Sequence, residues 1–508
     1  MRKQGILCTA AMVASLSAHA TVGGTERGRL IGAPQLVLSW DAATFESQLN
    51  ASSSGQQILA VAGVPSCGVN VYHIEYGTIG GAGEPATASA AVMVPNGSGA
   101  HCSGARPTVL YAHGTAIEKD YNIADIANPN NTASAEGLLV AAVFAAQGYL
   151  VVAPNYAGYD DSSLPYHPFV NEKQQSSDMI DALDAAHRAL WQKGVPALRG
   201  TTNELATDGG KLFVSGYSQG GYVAMATSKA LQAAGRIVTA SAPMSGPYAL
   251  EAFGDSMMFG DVDLGSTIFT PLIIRSYQVA YRDIYQQPTD IYEPTYAATA
   301  PDALPSTLSE TTIFADNVLP ETALFDSTTP VTGNSALNAI LAVPSNPLFA
   351  LGFGASNLMT NDYRLSYVLD ALNSPDGAVP TATPGVPLAT APQQPLRKAF
   401  RLNDLRSWTP ATPILLCGGS GDPTVFFSVN TGTMQAYWSS LPAGRLTVLD
   451  VQSAVTGASD PFAQQKEGFQ QAEASIAASG GESAVEESYH LTVEPFCSSA
   501  AREFFSRF

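Results

Sequence analysis

The stretch LFVSGYSQGGYVAM, residues 212–225, places a serine between glycines in the run Gly216-Tyr217-Ser218-Gln219-Gly220. An apolar run leads into it and an alanine-rich run of helical composition leads out. Glycines two before and two after the serine imply a backbone turned so tightly that a side chain at either place would clash. G-x-S-x-G between a strand and a helix is the elbow that lifts a nucleophilic hydroxyl above the end of a sheet. So short a pattern recurs by chance, and the remainder of the chain has to supply the partners.

Working outward, short apolar runs alternate with longer helical patterns. Two strand-like runs, VNVYHIEY (69–76) and ATASAAVMVP (86–95), flank the glycine-rich GTIGGAG and predict a hairpin. GTIGGAG has no helix after it, so it reads as a turn and not as a phosphate cradle. Then come a buried-strand run at TVLYAHGT, a helix at EGLLVAAVFAAQG, a strand at YLVVAPNY and a helix at SSDMIDALDAAHRALWQK. The elbow follows, with a further strand near IVTASAPMSG. This alternation predicts an α/β architecture with a mostly parallel, doubly wound sheet. Residues 21–66 read as a loosely defined lead-in with one helix at 43–49. From 248 to 405 the alternation stops, and a proline-rich stretch at 374–395 reads as an extended surface connection. Strands resume at PILLC and RLTVLDV, and AAREFFSRF closes the chain in a helical run. The expected organisation is a leader over 1–20, a first part of the core over 21–247, an inserted cap over 248–405 and a second part over 406–508.

An elbow of this kind orders its triad as nucleophile, acid, histidine. Of the seven histidines, only His490 follows Ser218, so only it can serve as the base. It lies in EESYHLTVEPFC, read as a loop just before the last helical run. The acid should follow a late strand, and PILLCGGSGDPTV offers Asp422 in a glycine-rich loop, with Asp450 in reserve. Two backbone N–H groups should form an oxyanion hole. Gln219, next to the nucleophile, supplies one; His113-Gly114-Thr115 supplies the other, with Thr115 as donor and Gly114 as runner-up. His113 itself reads as a packing residue.

A formal charge of −19 and the lack of Lys/Arg clusters argue against nucleic acid or anionic membranes as partners. Arg2 and Lys3 precede a short apolar stretch, and Ala18-His19-Ala20 gives a small-x-small cleavage pattern, so a signal peptide cut after Ala20 is expected. That cut removes two basic residues and no acid, taking the charge to about −21. The mature chain is expected in the periplasm or outside the cell, with no membrane anchor. The apolar run 138–153 is broken by Gln147-Gly148 and reads as helix then strand. Without Cys8, four cysteines remain. Their even number in an exported chain favours disulfides, and Cys67–Cys102 with Cys417–Cys497 is the preferred one of three connectivities. The hairpin would bring the first pair together, and the second would tie the acid segment to the histidine segment. No C-x-x-C pair suggests a zinc site. Asn50, Asn96 and Asn130 open N-x-[ST] sequons. DVDLG (261–265) is a truncated calcium-loop fragment whose acids read as solvated.

Taken together, elbow, HGT, APNYAGY, acid loop and histidine resemble the α/β-hydrolase superfamily across nearly all of the mature sequence. VVAPNYAGYDDSSLPY leading to SSDMIDALDAAHRAL, and the long segment between nucleophile and acid, resemble more narrowly the secretory lipase family, the fungal lipase A type and its bacterial relatives. The resemblance implies an exported serine hydrolase, free of cofactors and metals, acting on a small-molecule or lipid carboxylic ester. By position it implies Ser218 as nucleophile, Asp422 as acid and His490 as base. Three competing readings stay open at the level of sequence. One is a serine exopeptidase anchoring a substrate amine on Glu251 or Asp255; another is a polyester hydrolase; the third is a non-catalytic binding protein on the same scaffold. Acyl-chain length, contact with a lipid interface and oligomeric state are not fixed by the sequence.

Overall fold

The computed structural model describes residues 26–191 and 206–508. The expected leader over 1–20, Cys8 within it and the end of the helical run at 192–193 lie outside the described residues.

Among the described residues nine strands form one sheet, in the order β1-β2-β3-β5-β4-β6-β7-β8-β9. They are β1 Leu30–Trp40, β2 Gly68–Ile79, β3 Pro85–Asn96, β4 Gly104–Ala112, β5 Leu150–Pro154, β6 Ala206–Tyr217, β7 Ala240–Met244, β8 Ile414–Gly418 and β9 Leu446–Asp450. β1 to β3 and the β3–β5 pair are antiparallel, and all pairs from β5 through β4 to β9 are parallel. β5, β7 and β8 are buried along their whole length, as expected of short, mostly apolar strands covered on both faces. β2 and β3 pair through twelve residues around the turn of GTIGGAG. The Cys67–Cys102 disulfide joins the segment just before this hairpin to the one just after it.

Helices α1 Ala42–Asn50, α2 Ser53–Ala62, α3 Ser134–Val143, α4 Glu172–Ala186 and α5 Gln219–Ala233 belong to the first part of the chain. Three expectations need correction here. The lead-in is not loose, since it holds β1 and α2 besides α1; β1 escaped because it is an edge strand with much of its length exposed. The proline-rich stretch is irregular but not merely superficial, for Asp376 and Ala389 are fully buried within it. The C-terminal run is longer than expected: α14 spans Ala463–Phe505, with a break at Gly481 (φ 78°).

Between β7 and β8 the chain adds no strand to the sheet and instead runs through α6 Leu250–Phe259, α7 Ser266–Tyr281, α8 Glu310–Ala315, α9 Ser335–Leu341, α10 Pro347–Ala350, α11 Asn361–Asn373 and α12 Pro395–Asn403. α13 Thr433–Tyr437 lies between β8 and β9. One apolar core runs continuously from the sheet into the segment between β7 and β8. No described helix is long and apolar enough to cross a membrane.

Candidate active site

β6 ends at Tyr217 and α5 begins at Gln219, which leaves Ser218 alone at the turn with φ 58° and ψ −124°. A non-glycine residue held there stores about 1–3 kcal/mol of strain. The flanking glycines are dictated by close approach. A Cβ on Gly216 would lie 2.4 Å from Gly220 O, and one on Gly220 would lie 1.9 Å from Ala112 O. The turn can be this tight only because neither side chain exists.

His490 lies on α14, not in the expected loop, because the helix after Gly481 runs uninterrupted through it. Its Nδ1 meets Asp422 Oδ2 at 2.7 Å, and both side chains are buried. The other Asp422 oxygen accepts the Thr424 and Val425 N–H groups at 2.9 and 3.1 Å, which fixes the carboxylate plane. The reserve acid, Asp450, accepts instead from the Ser420 and Gln452 N–H groups and has no bond to His490. Tyr217 donates its hydroxyl to the His490 carbonyl, and its ring lies 4.9 Å from the imidazole. Tyr489 accepts the Gly421 N–H at 3.1 Å, so the residue beside the histidine also holds the acid loop. Cys417, at the end of β8, is disulfide-bonded to Cys497, two helical turns beyond His490. His490 Nε2 is buried with no hydrogen-bond partner, Ser218 Oγ included. Ser218 itself opens onto a cleft. The structure thus joins acid to histidine, while the serine and the imidazole are not hydrogen-bonded to each other.

On the opposite side, Gln219 is the first residue of α5, and the first N–H groups of a helix have no partner within it. Thr115 shares the cleft wall with Ser218 and Gln219. The Gly114 N–H, the runner-up, is already given to Glu136 at 3.1 Å. Glu136 also accepts the hydroxyls of Tyr111 at 3.0 Å and Tyr121 at 2.9 Å, and Tyr111 reaches Glu494, one helical turn beyond His490. Burial raises the pKa of both glutamates, and the charge of Glu136 pushes Glu494 further. This acid–tyrosine cluster braces the loop of Thr115 against the helix of His490.

Two buried histidines stand beside this machinery. His113 is stacked between Tyr121 and Tyr156, with ring centroids 4.3 and 4.1 Å away. Burial lowers its pKa to about 4, and both ring nitrogens face carbonyl oxygens, so it packs and does not shuttle protons. His167 was not singled out by the sequence. Its Nδ1 meets Ala157 O at 2.9 Å, which fixes the tautomer and leaves Nε2 to accept from Gln219 Nε2 at 2.7 Å. Burial lowers its pKa to about 3. Gln219 is therefore held by a neutral imidazole. Only the place of His167 after APNYAGY hinted at this.

The cleft has a volume of about 790 Å³, counting space open to solvent. Its wall is mostly apolar, from Phe169, Leu250, Phe253, Met257, Phe269, Ile273 and neighbours. Asp263 belongs to this wall and is buried, contrary to the solvated reading of DVDLG. Glu251 and Asp255 do not line the cleft. Both are wholly buried; Arg397 grips Asp255 through two bonds of 2.8 Å, and Glu251 accepts the Ala389 N–H at 3.0 Å. Neither is free to anchor an amine, which corrects the exopeptidase expectation.

No protein-family model matches the chain, and no curated protein matches it. Among solved structures it is similar to LipA from Xanthomonas oryzae, a rice cell wall degrading esterase, with 25% identity over 94% of this chain and 98% of that one and a TM-score of 0.64. A Legionella pneumophila protein of presumed hydrolase function shares 18% identity over 94% of this chain and 98% of that one, with a TM-score of 0.61. Candida antarctica lipase A aligns more loosely, with 11% identity over 84% of this chain and 77% of that one and a TM-score of 0.42. Sheet order, elbow and the likenesses to LipA and to the Legionella protein agree that the chain has the α/β-hydrolase fold.

Proposed function

We propose that this chain is an exported serine hydrolase that cleaves carboxylic esters through Ser218, His490 and Asp422. The observation that carries the proposal is the strained Ser218 in the wall of an apolar cleft, next in the chain to Tyr217, whose ring lies against the His490 of the buried His490–Asp422 pair. Ser218 Oγ attacks the ester carbonyl as His490 Nε2 takes its proton, and Asp422 holds the Nδ1 proton and stabilises the imidazolium. The carbonyl oxygen, now negative, receives the N–H groups of Gln219 and Thr115. The alcohol leaves with the proton from His490. A water activated by the same histidine then attacks the acyl-enzyme, releasing the acid and restoring Ser218.

The esterase named for LipA supports an ester as substrate. The helical segment between β7 and β8 supplies most of the cleft wall, which supports its role as a cap over the site. Two disulfides fit an oxidising compartment. A panel of p-nitrophenyl esters from acetate to palmitate, beside prolyl and leucyl p-nitroanilides, tests the proposal. Ester turnover that vanishes in Ser218→Ala, with no anilide turnover, is the expected result. Anilide turnover, or full esterase activity in Ser218→Ala, would overturn it.

A further inference from the structure

Asp263 is the one titratable side chain in the cleft wall among the described residues. It lies in the short link between α6 and α7, where the Leu264 N–H bonds Pro423 O of the acid loop at 3.2 Å. The residue is 5% exposed, and its Oδ1 is buried without a hydrogen-bond partner. Among the described residues no arginine, lysine or histidine shares the wall, and the charge that bears on Asp263 is that of Asp422, of the same sign. Burial and that charge both favour the protonated form. A buried carboxyl oxygen with no partner costs free energy unless something in the cleft completes its hydrogen bonding.

The chemistry of a neutral carboxyl narrows what that partner is. It offers one O–H donor and one carbonyl acceptor, and a hydroxyl group answers both. An ammonium group would answer only an ionised carboxylate, which this mostly apolar wall without a cation among its lining residues disfavours. The acyl part of a substrate stays in the site through both half-reactions, whereas the alcohol leaves after the first. An apolar wall beside the serine is therefore better matched to the acyl chain.

We propose that Asp263 makes this cleft selective for esters whose acyl chain carries a hydroxyl group, which exchanges hydrogen bonds with the Asp263 carboxyl. The inference rests on the ester-hydrolase reading above. The reaction is the same: water adds across the ester bond, giving the hydroxy acid and the free alcohol.

The test measures kcat/KM by pH-stat for methyl hexanoate, for its 2-, 3- and 6-hydroxy derivatives and for methyl 6-aminohexanoate. The wild type is expected to favour one hydroxy ester over the plain one by about tenfold or more. In Asp263→Leu that ratio should fall to about one and turnover of plain hexanoate should rise, while Asp263→Asn should keep the preference within about threefold. The wild-type panel decides the matter even if Asp263→Leu fails to fold. A wild type with no hydroxy preference, a preference that survives in Asp263→Leu, or a preference for the amino ester would each overturn the proposal. Turnover of plain esters alone would leave the ester-hydrolase reading standing and remove only the role of Asp263. Absence of any ester turnover would remove both.

Discussion

The sheet and the helical segment between β7 and β8 share one apolar core, yet different forces fix their geometry. The central strands are held by backbone ladders and by Val, Leu, Ile and Ala side chains that only need to be apolar and of suitable size. In the segment between β7 and β8, the three largest fully buried side chains are arginines. Arg397 binds Asp255 and Asp370, and Arg406 binds Asp376 and Asp404 at 2.6 to 3.0 Å. Among the described residues Arg364 has no carboxylate partner. It lies 4.3 Å over the Phe325 ring, donates to the Met258 and Leu341 carbonyls, and burial pulls its pKa down to about 10. The sheet is thus specified by pattern, and the segment by individual partners.

That contrast can be broken at either end. The largest effect is expected where the parallel strands end: Ser218→Ala or Asp422→Asn should lower ester turnover by about 10⁴-fold, with urea stability little changed. A loss below about tenfold for Asp422→Asn would return the acid role to another residue. On the other side, Arg406→Met leaves Asp376 and Asp404 buried without their cation and should cost about 3–5 kcal/mol in urea denaturation. An unchanged midpoint would show that these pairs do not hold the segment in place.

A third experiment works at the junction. His167 touches Phe169, whose ring stacks on Phe269 of α7 at 6.4 Å. Its folded pKa of about 3 lies below the ordinary value of 6.5, so the unfolded chain takes up the proton first. Stability from this group is therefore complete above pH 6.5, falls as the pH drops below it, and stops falling near pH 3. His167→Gln should make stability less steep in pH between about 4 and 6, by up to about 1.4 kcal/mol per pH unit. An unaltered slope would mean that the imidazole is not held neutral. The smallest effect is expected at Asp450. Asp450→Asn should keep kcat/KM within about threefold, since its carboxyl caps a turn and does not reach His490.

Much of the sheet was legible because buried parallel strands and tight turns leave composition behind. PILLC and YLVVAP can hardly be anything but covered strands, and Gly216 and Gly220 announce a backbone contact. Chain order singled out His490, and Asp422, which meets it, was read from the glycine-rich loop after a late strand, with Asp450 in reserve. The helix around His490 was not legible, because Gly480-Gly481 and Pro495 punctuate a run that nevertheless continues helically after Gly481 to Phe505. Partners set by single contacts were hidden. Nothing in ALEAFGD says that Arg397, more than a hundred residues away, will claim Asp255. DVDLG likewise reads as a surface turn, and only the packing of α6 and α7 encloses Asp263.

The Cys417–Cys497 bridge has a consequence for how the protein recovers from damage. Asp422 lies five residues past one half-cystine and His490 seven residues before the other. Even in a fully unfolded chain, so short a tether holds carboxylate and imidazole at an effective concentration in the millimolar range. Cut the bridge, and the same encounter must close a loop of sixty-eight residues. The oxidised chain therefore keeps two of its proposed catalytic groups in each other's company while the sheet between them is rebuilt. Activity should return after heating much more fully in the oxidised protein than in the reduced one.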